Sequence, residues 1–256
     1  MALLTDFGAA DPYVGAMKGA ILSVCPEATL VDITHEVSPH DVLEGGLTLA
    51  AAYPTFPAGT VFVAVVDPGV GSSRRGLALQ AGLHLFVGPD NGLFGFVLRE
   101  HDDALVHGLE NERLFRSPVS PVFHGRDVFG PVAGHLARGL PLGEVGPKVD
   151  DPLLLEASEP RQIAPGEWEA AVLHVDRFGN LTTGLPGHVV LGARAVEVRV
   201  GGASIPWART YADVGPGSLC ALVGSSGRLE VAVREGSASA RLGVGKGSPV
   251  RVRVVW

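Results

Sequence analysis

Apolar and polar positions follow two rhythms along this chain. Residues 2–4 form a short apolar run that ends at Thr5-Asp6-Phe7-Gly8. Such a run, bounded by turn residues, predicts a buried strand. Val14, Met17, Ile21 and Val24 then recur at helical spacing, and Cys25-Pro26 stops that helix. Residues 29–33 read as a second strand, 41–53 as a helix behind Ser38-Pro39, and 60–66 as a strongly apolar third strand. Residues 77–87 have the pattern of a hairpin, followed by a Pro89-Asp90-Asn91-Gly92 turn. Val128, Val132 and Leu136, spaced i, i+4, i+8, place a helix over 126–138. Strands alternating with helices imply a mainly parallel sheet covered by helices, a Rossmann-like three-layer α/β domain.

The rhythm changes after Asp150. Residues 156–169 are polar and carry Pro160 and Pro165. Beyond them come short strand patterns at 170–175, 196–200, 219–223, 229–233 and 250–255, punctuated by Gly and Ser. This pattern predicts a small all-β domain, a barrel or sandwich. The expected organisation is an α/β domain over 1–157, a linker at 158–167 and a β-barrel domain over 168–256.

Composition narrows the function. The 256 residues are 46% hydrophobic with a net charge of −7, and the mean hydropathy is +0.28. Disorder is excluded by that apolar share. The 20 basic residues, of which only Lys18, Lys148 and Lys246 are lysines, form no stripe. Nucleic acid is therefore not an expected partner. Cys25 and Cys220 lie far apart and build no disulfide framework. The start MALLTDFG lacks a basic leader and no apolar run could span a bilayer. A cytoplasmic protein without membrane contact is expected. The dinucleotide glycine pattern, the phosphate-binding P-loop and the nucleophile elbow each fail by at least one residue (Arg74, Gly247 and Arg228 respectively). The nine histidines show no zinc spacing, so no metal is expected.

Four polar loops remain. They are Thr5 to Gly8, with Asp11 soon after; Asp67 to Arg75; Phe123 to Asp127; and Asp176 to Asn180. Each has an ordinary reading: Asp-Pro-Gly is turn chemistry, and Asp127 could lie in a helix's first turn beside a solvated Arg126. His84, His135 and His174 read as packed or solvated residues. Taken together, strand-end loops bearing Asp, Arg, His and Asn point to a shared site, because open α/β sheets bind ligands at the carboxyl ends of their strands. A carboxylate at such an end can hold a vicinal diol such as a ribose.

TDFG, VDPGVG…R, PDNG, FHGRDVF.P and D.FGN.TT, in this order, resemble the S-adenosyl-L-methionine (SAM) hydroxide adenosyltransferases, or SAM hydrolases, which are relatives of the SAM-dependent fluorinase and chlorinase. The late segment from Ser225 to Ala238 extends the resemblance over nearly the whole chain. It implies a homotrimer in which SAM, as substrate and without any cofactor, sits between the first domain of one subunit and the β domain of its neighbour. It implies a catalytic set of Asp67, Arg74 and His124 directing water at the ribose C5′, giving adenosine and methionine. It further implies Asp6 on the ribose hydroxyls, Asp11 near the methionine amino group, and Phe7 and Phe123 in the substrate site. Asn180, Tyr211 and Ser225 would line the β-domain side, with backbone near Val233 and Glu235 reading adenine. A halogenase would be expected to carry Tyr at position 67, Thr at 70, Ser at 125 and an insertion between Ala81 and Leu85; this chain has none of these. A non-catalytic SAM or adenosine sensor would share the binding residues but leave Asp67, Arg74 and His124 without a purpose.

Overall fold

The computed structural model describes residues 1–155 and 159–256. The expected domain boundary at 157 and linker start at 158 lie outside the described residues. Two compact units are found, Met1–Leu155 and Glu156–Trp256.

The first unit is built on a six-stranded sheet of order β2-β1-β3-β5-β4-β6. The strands are β1 (Ala2–Thr5), β2 (Val31–Thr34), β3 (Val61–Val65), β4 (Gly76–Ala81), β5 (His84–Pro89) and β6 (Leu105–Gly108). The β1–β2, β1–β3 and β3–β5 pairs are parallel, and β4 is antiparallel to both β5 and β6. Pleating sends alternate residues to opposite faces. Ala2, Leu4, Phe62 and Ala64 enter one apolar core with Leu49 and Val97, from α2 (Val42–Ala52) and α3 (Gly95–Glu100). Leu3, Val61, Val63 and Val65 enter the other, with Met17 and Ile21 of α1 (Tyr13–Val24) and Val132 of α4 (Gly130–Ala137). Three layers result, helices on both faces of the sheet. Asp41 starts α2 where its side chain accepts from the Glu44 N–H at 3.0 Å. The β4–β5 hairpin closes through only Gly82 and Leu83, so the halogenase-type insertion has no counterpart.

Two expectations are shifted. The second strand begins at Val31 rather than residue 29. The expected helix over 126–138 opens with a wider, π-helical turn, Gly125–Phe129, before α4 begins. α3 and β6 were not predicted; at six and four residues, they are too short to show a period.

In the second unit every pair of named strands is antiparallel. Its strands are β7 (Arg161–Ala164), β8 (Glu167–Val175), β9 (Leu181–Pro186), β10 (Ala195–Val200), β11 (Ala203–Ile205), β12 (Leu219–Val223), β13 (Arg228–Val233) and β14 (Pro249–Val255). The order is β11-β10-β14-β8-β9-β13-β12, with β7 on β8. After β11, Trp207 bridges to Ala221 of β12, which nearly closes the sheet into a barrel. Val172, Leu185, Val198, Val231 and Val252 fill its interior. β7 and the start of β8 occupy much of the stretch read as linker.

Candidate active site

β1 and β3 are adjacent and parallel, with Thr5 opposite Val65. Their carboxyl ends therefore release Asp6 and Asp67 side by side. This is topology, and it places both carboxylates where an open α/β sheet binds its ligand.

The loop after β3 turns twice. The Val70 N–H donates to the Asp67 carbonyl at 3.2 Å, and the Ser72 N–H to Gly69 at 3.1 Å. Gly71 holds φ at 79°, and a Cβ there would lie 2.6 Å from the Pro121 carbonyl oxygen, so only glycine fits. The two turns bring Arg74 back onto Asp67. Its Nε donates to Asp67 Oδ1 at 2.9 Å and its Nη2 to Oδ2. The two side chains are only 11% and 5% exposed. Arg74 also lies over the Phe129 ring, 5.2 Å from its centroid. The neighbouring Arg75 turns elsewhere: it bonds Asp90 and Asp151, each at 2.8 Å, and so ties the end of this unit to the loop.

His124 completes the set. Its Nδ1 lies 2.8 Å from Arg74 Nη2. A guanidinium only donates, so Nδ1 accepts and the neutral ring carries its proton on Nε2. Burial first, and then the charge of Arg74, hold the imidazole pKa below its ordinary value, against the opposing charges of Asp67 and Asp127. At neutral pH His124 is therefore an uncharged N–H donor toward anything at Nε2.

The position of His124 depends on Asp127, which lies in the first turn of the helix and is fully buried. Asp127 accepts from Arg126 at 2.6 and 2.7 Å, from Arg116 at 3.2 Å and from the Ser120 N–H at 2.8 Å. Burial alone would raise its carboxyl pKa; these donors hold it below the ordinary value. Arg126 in turn covers the Phe123 ring at 4.9 Å. One buried carboxylate thus anchors the segment that delivers Phe123 and His124.

A cavity of about 260 Å³ opens over these groups, with Asp6, Phe7, Asp67, Phe123 and His124 in its wall. Phe7, Tyr13 and Phe123 meet edge to face, with centroids 5.4–6.1 Å apart. Gly125 also lines it, and a Cβ there would lie 3.1 Å from the Phe7 ring. Asp6 Oδ2 accepts from the His40 N–H at 2.9 Å. His40 holds φ at 67°, the left-handed region, and it also lines the cavity. Sequence reasoning missed His40 and Tyr13, and gave Asp127 only its ordinary place in a helix's first turn. The only available signal for His40 was its place just before the helix-capping Asp41. Asp11 is exposed ahead of α1 and is not among the cavity's lining residues.

The second unit gathers its own polar cluster. Asp176 Oδ1 accepts from the Phe178 and Asn180 N–H groups, both at 2.8 Å, and Oδ2 from the Asn180 side chain at 3.0 Å. The loop this creates holds Phe178 75% exposed at its tip. The Tyr211 hydroxyl donates to Glu230 Oε1 at 2.6 Å. Glu230 is buried, which raises its carboxyl pKa; the charge of Asp176 adds to the rise and the Tyr211 hydrogen bond opposes it. Ser225 and Glu235 lie beyond opposite ends of β13, and Val233 is buried at its last position. Glu235 has a left-handed φ of 59°. Among the described residues no group of three or more His, Cys, Asp or Glu could hold a metal ion. Nor is any helix of the described residues long and apolar enough to cross a membrane.

Comparison with known proteins agrees over both units. The family models "SAM hydroxide adenosyltransferase N-terminal domain" and "C-terminal domain" match residues 1–146 and 170–251. A protein of Thermus thermophilus named (R)-S-adenosyl-L-methionine hydrolase is 41% identical, covering 97% of each chain. One of the same name from Salinispora arenicola is 42% identical over 97% of this chain and 95% of its own. A fluorinase of Nocardia brasiliensis is more distant, at 28% over 99% of this chain and 96% of its own. The crystal structure of an uncharacterized conserved protein from Thermotoga maritima superposes with a TM-score of 0.90 at 38% identity, covering 98% of this chain and 99% of that one.

Proposed function

Because the chain belongs to the SAM hydroxide adenosyltransferase family, we propose that it hydrolyses SAM to adenosine and L-methionine. The observation that carries this reading is the Asp67–Arg74–His124 cluster, with Asp67 and His124 in the wall of the strand-end cavity. A site that only bound a cation would have no use for a buried arginine.

The reaction is a substitution at the ribose C5′. Water supplies the new C5′–O bond, the C5′–S bond breaks, and its electron pair goes to sulfur. Methionine leaves neutral from a sulfonium, so no acid is needed behind it. The requirement is an oriented water in line with the C5′–S bond, and alignment of that kind contributes on the order of 7 kcal/mol or more. Arg74 supplies a fixed positive charge that favours developing hydroxide. His124, whose Nδ1 is taken by Arg74, orients the water from Nε2–H. Asp67 is left as the group that draws off the proton.

Asp6 would hold the ribose hydroxyls with the oxygen that His40 does not take. Phe7 and Phe123 would flank the substrate, and Asp11 would approach the amino group. By family resemblance the protein would be a homotrimer, and the cytoplasm is its proposed location. Asn180, Tyr211, Ser225 and the backbone at Val233 and Glu235, contributed by a neighbouring copy, would contact methionine and adenine. SAM enters as substrate, and the reaction as written needs no cofactor. Gly125 supports hydrolase over halogenase: a serine there would press on Phe7.

The test is prolonged incubation of the purified protein with SAM, with and without chloride, followed by chromatography. Adenosine and methionine in equal amounts, independent of chloride, are expected. A 5′-chloro product would mean a halogenase, and bound but unconsumed SAM a sensor. Light scattering reads the trimer separately.

A further inference from the structure

His124 borders two cavities. The first is the strand-end cavity described above. The second, of about 520 Å³, lies toward β4 and β6. Its wall includes Arg74, Arg75, Glu110, Glu112, Arg116 and His124. Asp67 lines the first cavity and Arg74 the second. The buried Asp67–Arg74 ion pair, closed by the Arg74–His124 hydrogen bond, therefore stands as a partition between them.

The two chambers differ in character. The first is walled largely by Phe7, Tyr13, Val65, Val70, Val122 and Phe123. Apolar walls of that kind suit a nucleoside and shed water. The second carries three guanidinium groups and two carboxylates, which suit ordered water. Hydrolysis of SAM consumes one water and releases one proton each turn. The C5′–O bond is made, the C5′–S bond is broken, and the attacking water loses a proton that has to reach bulk solvent. With substrate in the first cavity, the second offers both exchanges a separate route.

Resting on the hydrolase reading, we infer that the second cavity is the solvent port of the reaction. It supplies the attacking water through the Asp67–Arg74–His124 partition and carries away the released proton on its own water, past Glu110 and Glu112. The three residues are then the boundary between a dry substrate chamber and a wet one, and the in-line water is drawn from the wet side.

The port can be narrowed without touching the partition. Val119 stands at the rim, 42% exposed, and Val119→Trp would cover it. Gly108 lines the interior, where an added Cβ meets nothing nearer than 3.6 Å, so Gly108→Leu would fill it. SAM affinity is read by calorimetry, adenosine formation in single turnover by quench and chromatography, and folding by melting temperature. Expected is unchanged SAM affinity with a turnover rate at least roughly tenfold lower in both variants, a loss of chemistry without loss of binding. Wild-type rates in two folded variants would overturn the port. So would a parallel loss of affinity and rate, which would make the second cavity part of the substrate site. A wild-type protein that releases no adenosine would overturn the hydrolase reading itself, and the port with it.

Discussion

Replacing Arg74 by alanine has two separable consequences. The first is stability. Asp67 is 5% exposed and takes both of its side-chain bonds from Arg74. Removing the guanidinium leaves a buried carboxylate without its counter-charge, a change that costs about 3–5 kcal/mol. For a unit of this size, each kcal/mol lowers the melting temperature by about 2–4 °C, giving roughly 6–20 °C in all. The second is chemistry. Loss of a preorganised charge beside the reacting atoms costs about 10²–10³ in kcat. His124 changes as well. Burial is the larger cause of its lowered pKa and the charge of Arg74 the next, so the variant's imidazole pKa rises part of the way back. The variant's imidazole is then protonated at higher pH than that of the wild type. Calorimetry for SAM affinity, single-turnover rates well below the melting temperature and a pH series read these effects separately. Arg74→Lys keeps the charge but not the planar fork that spans both Asp67 oxygens and the ring, and it should recover stability better than rate. Equal losses in affinity and kcat, or a wild-type rate, would refute the assignment.

The remaining predictions concern what holds the site. Asp127→Asn should destabilise the protein at neutral pH. The native carboxyl is held below its ordinary pKa of 3.8, so its contribution is present above that value and lost as pH falls through the lowered one. The gap in urea midpoint between wild type and variant should close in acid, and a gap independent of pH would remove the charge from the argument. His40→Gly should keep SAM affinity and stabilise slightly, because a left-handed residue with a side chain costs roughly 1–2 kcal/mol. His40→Val should weaken SAM binding by displacing the N–H from Asp6; equal affinity in both would show that this contact does not set the ribose site. Asp6→Ala should raise the dissociation constant for SAM with little change in single-turnover rate, and unchanged affinity would take Asp6 out of the ribose site.

Much of the scaffold could be read from the chain. β3 was legible because a buried parallel strand is a continuous apolar run that ends at Asp67. The β4–β5 hairpin was legible from its pattern over 77–87, and α2 from its start behind Ser38-Pro39. In the second unit β8, β10, β12, β13 and β14 stood out. β9 did not, because Thr182 and Thr183 are buried there. The Thr183 hydroxyl donates to the Leu229 carbonyl at 2.9 Å, a contact that hides its burial from any hydrophobic pattern. The π-helical turn at Gly125–Phe129 was likewise hidden, since it keeps an apolar spacing while widening the backbone.

The sequence by itself determined most of the strands and helices, the apolar faces they bury, the family, and the loops that hold Asp6, Asp67, Arg74 and His124. Those follow from local spacing and from motifs within single loops. The tertiary structure decided which groups meet. Parallel pairing of β1 with β3 set Asp6 beside Asp67, and the crossover after β2 aimed the His40 N–H at Asp6 from 34 residues away. Burial made Asp127, a first-turn residue, the anchor of His124, and the direction of the Arg74 fork fixed which histidine nitrogen holds the proton. The Asp6–His40 and Arg74–His124 contacts join residues distant in the chain, and the strength of all of them comes from the exclusion of water, which no local pattern records.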